Sequence, residues 1–108
     1  DSDLIIQKEI GESSWFGFSF VIREGSKVNR LKLIDHLTKS GVECRPIVTG
    51  NFAKNEVVKW FDYEIFGELK NADRVDQHGF FVGNHQIGMI EQIKKLRELI
   101  RDGVSKSI

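Results

Sequence analysis

The stretch Trp15-Phe16-Gly17-Phe18-Ser19-Phe20-Val21-Ile22, WFGFSFVI, decides how this chain is read. Its side chains alternate, with Phe16, Phe18, Phe20 and Ile22 on one face and Trp15, Gly17, Ser19 and Val21 on the other. A period of two in aromatic and β-branched residues predicts a strand, and Gly17 leaves room for something close to the backbone. REGSK then turns the chain, with Ser26 predicted as a helix N-cap. From Val28 to Ser40 the apolar residues Val28, Leu31, Leu33, Ile34 and Leu37 recur mostly at spacings of three and four. Gly41 stands at the C′ position, so an amphipathic helix is expected. VECRPIV supplies a second strand. The two strands either lie side by side in parallel or are split apart, and the pattern does not choose between these.

Downstream, NEVVKWFDYEIFG predicts one or two short helical turns under a loop. ELKNADRVDQHG predicts a helix stopped by Gly79, FFVG a short apolar strand, and NHQIG a turn. Met89, Ile90, Ile93, Leu96, Leu99 and Ile100 share one face of a last helix over 89–100, with Glu91–Lys95 and Lys94–Glu98 as i,i+4 pairs on its wet side. RDGVSKSI is expected to fray, and residues 1–12 and 102–108 to be peripheral. The order strand, helix, strand, helix, strand, helix implies an α+β fold: a small open, mainly antiparallel or mixed sheet with helices on one face.

The 108 residues suffice for one domain with one core. Sixteen basic residues balance 16 acidic ones, which argues against a nucleic-acid-binding surface. No apolar run approaches the roughly 20 residues of a membrane span, and the N-terminus does not read as a signal peptide. The single cysteine, Cys44, rules out an internal disulfide and a cysteine-cluster metal site, and a cytoplasmic location is expected. The chain begins at Asp1 rather than Met and carries eight Phe and two Trp. So many large apolar groups imply a second surface to cover, and the chain is expected to be a domain of a larger protein.

The histidines are scattered, and none has a partner at zinc-binding spacing. His36 is expected on the exposed side of its helix, and His78 as a capping or solvated residue. His85 differs, because GNHQ gathers hydrogen-bonding side chains at the end of a strand, where sites commonly form. Cys44 is read as a small buried hydrophobe. Glu9 with Glu12 and Asp73 with Asp76 are read as solvated faces, and no phosphate-binding glycine loop is present. Three polar groups bounded by loops remain: Ser13-Ser14-Trp15, Arg45 with Asn51 around the lone Pro46, and Asn84-His85-Gln86. In one reading Arg45 binds a phosphate or carboxylate, Asn51 holds a hydroxyl, and Trp15 or Phe52 stacks on a ring. In the other, Arg45 pairs with a surface acid and Asn51 caps its own turn.

SWFGFSFVI, GVECRPIVTGNF, NADRVDQHGFFVGNHQ and the closing helix together resemble the C-terminal domain of the DegT/DnrJ/StrS family. These are pyridoxal-phosphate-dependent sugar aminotransferases and dehydratases of aminotransferase fold type I. The resemblance covers nearly the whole chain, with RPIVTGN and FFVGNHQ its specific parts. Cys44-Arg45-Pro46-Ile47 stands where the sugar aminotransferases tend to carry a His-Tyr-x-Pro segment. That departure favours the 3-dehydratase branch acting on GDP-linked 4-keto-6-deoxymannose, ahead of the iron–sulfur CDP-sugar branch.

The resemblance implies that the aminated cofactor condenses with a 4-keto sugar and acts as electron sink for loss of the C3 hydroxyl. The cofactor site, with a His in place of the usual Schiff-base Lys, would lie in a large domain outside this chain. The chain alone is expected to bind no cofactor and to catalyse nothing. Its expected role is to close the active site over the nucleotide-sugar and to support a homodimer. Ser14, Trp15, Arg45, Asn51, Phe52, Asn84 and His85 are the expected substrate-side residues. A sugar aminotransferase domain and a non-enzymatic interaction module are the alternatives.

Overall fold

The computed structural model describes residues 3–108. Its sheet contains β1 (Leu4–Ile6), β2 (Gly17–Ile22), β3 (Cys44–Arg45) and β4 (Gly79–Gly83) in the order β1-β2-β4-β3. Each neighbouring pair is antiparallel. The helices are α1 (Arg30–Lys39), α2 (Lys70–His78) and α3 (Ile90–Lys106), and 3-10 turns cover Phe52–Lys54 and Glu56–Trp60. The fold is α+β with an open antiparallel sheet, as expected. The choice the sequence left open is settled as the split arrangement, because β4 inserts between β2 and β3.

The sheet places its most apolar strand inside. Phe20 and Phe80 are cross-strand partners whose rings stack at 5.3 Å between centroids. With Leu4, Ile22, Val28, Leu33, Leu37, Val82, Ile100 and Val104 they form the buried core. β3 is confined to the edge and ends at Arg45, just before Pro46, which has no N–H to give a ladder.

The N-cap of α1 is Asn29, not Ser26. The Asn29 side chain accepts from the Lys32 N–H at 3.1 Å, and Val28 and Leu33 stand at the two positions of a hydrophobic staple. Ser26 instead accepts from the Val28 N–H and donates to Asp3. At the other end Gly41 takes φ +85°, as its C′ role requires. The Val42 N–H reaches the Leu37 carbonyl and the Gly41 N–H that of Thr38, a Schellman closure. α2 is fixed by two arginines. Arg30 donates to the carbonyls of Asp76 and Gly79, and Arg74 donates to that of Ile22.

The ends of the chain are less peripheral than expected. Leu4 is buried and β1 pairs with β2, while the first two residues of the 1–12 segment lie outside the described residues. α3 does not stop at Ile100 but continues to Lys106, burying Gly103, Val104 and Ser107. The reason is close helix packing. A Cβ on Gly103 would lie 2.7 Å from Leu33 Cδ1 and 2.8 Å from His36 Cδ2, so α1 and α3 meet where α3 has no side chain. His36 is therefore half-buried against α3, with Nε2 3.2 Å from Asp102 Oδ2, and not on an exposed side. On α3, Lys94 pairs with Glu91 at i,i+3 rather than with Glu98. No helix among the described residues is long and apolar enough to cross a membrane.

Candidate functional site: the groove at the strand ends

The N-terminal end of β2 and the C-terminal end of β4 meet through the Gly17–Gly83 pair. Asn84 locks this junction. Its Nδ2 donates to the Trp15 carbonyl at 2.8 Å and the Ser14 carbonyl at 3.4 Å, while Oδ1 accepts from the His85 N–H. Ser14, Trp15, Asn84 and His85 are thus brought together. Trp15 is held at φ +46°, a conformation that costs a non-glycine residue on the order of 1 kcal/mol or more. Glu9, expected on a solvated face, anchors it. One Glu9 carboxylate oxygen accepts both the indole N–H of Trp15 and the backbone N–H of Ser13.

The unusual backbone at Trp15 exchanges two aromatic rings. Alternation would place Phe16 with Phe18 on the core face. Instead Phe16 is 88% exposed and lies 5.8 Å from Phe81 on the outer face, while Trp15 lies 5.8 Å from Phe18. Beside this junction runs a groove of about 600 Å³ bounded by Phe16, Phe18, Arg45, Asn84, Lys95 and Leu96. Its floor is apolar, and Arg45 and Lys95 are its cations.

Arg45 is exposed and donates through Nε and Nη2 to one oxygen of Glu43, at 2.8 and 2.6 Å. The pairing with a surface acid is real, and it leaves Nη1 unbound among the described residues. Cys44, beside it, is half-buried, and desolvation raises its thiol to about 11, which suits a packing role.

Asn51 and Phe52 do not join this cluster. They follow the loop after Pro46 to the α2 end of the sheet, and the two ends of β4 are roughly 14 Å apart at ~3.4 Å per residue. Asn51 is buried at 5% exposure, caps the first 3-10 turn through the Ala53 N–H, and donates to Asp73 at 2.8 Å. Asn55 caps the next turn in the same way. Asp73 is therefore no mere solvated acid. Its ion pair with Lys54, and then the Asn51 hydrogen bond, hold its carboxyl below the usual carboxylate range. The loop itself is strained, with Val48 at φ +45° and Gly50 at φ +59° where a Cβ would collide with Asp76. Phe52 is half-exposed beside it. Among the described residues no three His, Cys, Asp or Glu side chains gather as a metal site would need.

The chain is 56% identical over 97 residues to the GDP-4-keto-6-deoxy-D-mannose 3-dehydratase of Yersinia pseudotuberculosis, a match that takes in 89% of this chain. The E. coli enzyme of the same name, solved with bound hydrated PLP, superposes with a TM-score of 0.87 over 90% of the chain at 53% identity. The chain is homologous to the C-terminal part of these dehydratases. It spans about a quarter of their length, 25% in both comparisons. A more distant relative, 33% identical over 75 residues, is a lipopolysaccharide biosynthesis protein of Salmonella typhimurium; it shares 69% of this chain and 17% of its own length. No family model matches the sequence. The match to the dehydratases bears out both the resemblance and the fold expected from it.

Proposed function

We propose that this chain is the C-terminal domain of a pyridoxal-phosphate-dependent GDP-4-keto-6-deoxy-D-mannose 3-dehydratase, acting in the cytoplasm on a nucleotide-sugar for lipopolysaccharide synthesis. In this reading the intact enzyme is a homodimer. The observation that carries it is 56% identity sustained over nine-tenths of the chain, on a shared fold.

Pyridoxal phosphate needs a buried set of donors for its phosphate and a side chain at its reactive carbon. The residues of this chain do not fit that need. The fully buried polar residues among the described residues are Asn51 and Ser107, both hydrogen-bonded internally, and the buried Nε2 of His36 faces Asp102 between α1 and α3. In this reading the cofactor and the catalytic base belong to the remainder of the enzyme, and this chain alone is expected to catalyse nothing.

The role left to the chain is to wall one side of the substrate cleft. Arg45 supplies a positive charge whose free Nη1 meets a diphosphate or sugar oxygen. Asn84, which lines the groove, holds the backbone of Ser14 and Trp15, while Glu9 fixes the indole and His85 follows in the chain. Phe52 is the exposed aromatic at the far loop, where Asn51 acts by holding the backbone, its side chain being committed to Ala53 and Asp73. The test is steady-state turnover of the 4-keto sugar nucleotide by full-length Arg45→Ala and His85→Ala enzymes. At least one is expected to lose about tenfold or more in kcat/KM, the size of one charge-assisted contact. Unchanged kinetics at both positions would remove this site assignment.

A further inference from the structure

Between the second 3-10 turn and α2 the sequence Phe61-Asp62-Tyr63-Glu64-Ile65 alternates apolar and acidic residues, and Phe66 follows. A period of two is the signature of a strand with one apolar face. Yet the residues from Asp62 to Phe66 belong to no element, and every residue from Lys59 to Glu68 is exposed. Trp60 is 85% and Phe66 98% exposed.

Among the described residues, the backbone from Asp62 to Gly67 hydrogen-bonds to nothing, whereas Phe61 N–H is used by the preceding turn. Asp62 and Glu64 have no cationic partner among those residues. The radius of gyration, 15.5 Å, exceeds the roughly 13 Å of a compact chain of this length, consistent with a segment that stands off the core. A strand-patterned segment with open amides, exposed aromatics and unpaired carboxylates is complementary to an open sheet edge flanked by apolar and basic side chains.

We propose that Phe61–Phe66 is a docking strand that pairs with an open edge in the remainder of the enzyme. Phe61, Tyr63 and Ile65 face its apolar surface, and Asp62 and Glu64 face basic groups on the other side. This rests on the proposed function, which assigns to the remainder the length that the relatives have beyond this chain. That length is what selects the occupant. The segment has its own backbone polar groups to satisfy, and roughly three-quarters of each relative lies outside the matched part.

Hydrogen exchange read by mass spectrometry on the full-length wild-type enzyme tests this. Amides of Asp62–Phe66 should exchange about 100-fold or more slower than in an unstructured peptide, unchanged on dilution to the monomer. Exchange at the unstructured rate would overturn the proposal, and so would protection that vanishes on dilution, which would make a second copy the occupant. Dehydration assayed on the same preparation separates the two claims. Activity without protection sinks the docking strand alone, and protection without activity sinks the functional reading.

Discussion

Asn84 shows how one side chain sets the geometry of the candidate site. Its amide bridges two strands by holding the Trp15 and Ser14 carbonyls, and so keeps Trp15 in a left-handed conformation. Replacing Asn84 with Ala removes these bonds while letting Trp15 relax, so part of the loss is recovered. The expected cost is about 1 kcal/mol, read as a lower urea midpoint with an unchanged slope. The tryptophan emission should shift as well, because Trp15 loses its fixed place beside Phe18. A variant with wild-type stability and emission would show that the junction holds without the amide.

At the scale of elements, the pattern of apolar residues made β2, α1, α2 and β4 legible, because each has a clear period and a glycine or a turn at its end. Pro46, which has no N–H to give a ladder, agrees with the edge position of β3. The misses came from contacts between residues distant in sequence. RDGVSKSI was expected to fray, since nothing local shows that α1 packs against Gly103; in the fold it is the point where Leu33 and His36 need the space. Alternation puts Phe16 on one face with Phe18, because it cannot foresee the positive φ of Trp15. Asn51 and Phe52 were grouped with Arg45 because they are close in sequence, but the loop after Pro46 carries them to the other end of the sheet. Asp73, 22 residues from Asn51, gave no local sign of holding it. The helix contact makes a direct prediction. Gly103→Ala raises helix propensity but must displace Leu33 or the His36 ring, so stability should fall by about 1–3 kcal/mol. A gain in the thermal midpoint would mean that α1 and α3 are less closely packed than the structure shows.

For the whole molecule, the sheet, the groove and the exposed aromatic segment describe a domain that is folded but has surfaces made for something else. The strained turns at Trp15 and Val48 and the solvent-facing Phe16, Trp60 and Phe66 lie outside the core cluster. In the proposed reading the remainder of the enzyme supplies the cofactor and the base, and this domain closes the cleft and docks through residues 61–66. The most direct measurement is the product that the full-length enzyme makes from GDP-4-keto-6-deoxymannose with pyridoxal phosphate and an amino donor, identified by mass spectrometry. The expected product is a sugar nucleotide that has lost its C3 oxygen and keeps its keto group. A product carrying an amine at C4 with the C3 hydroxyl intact would contradict it.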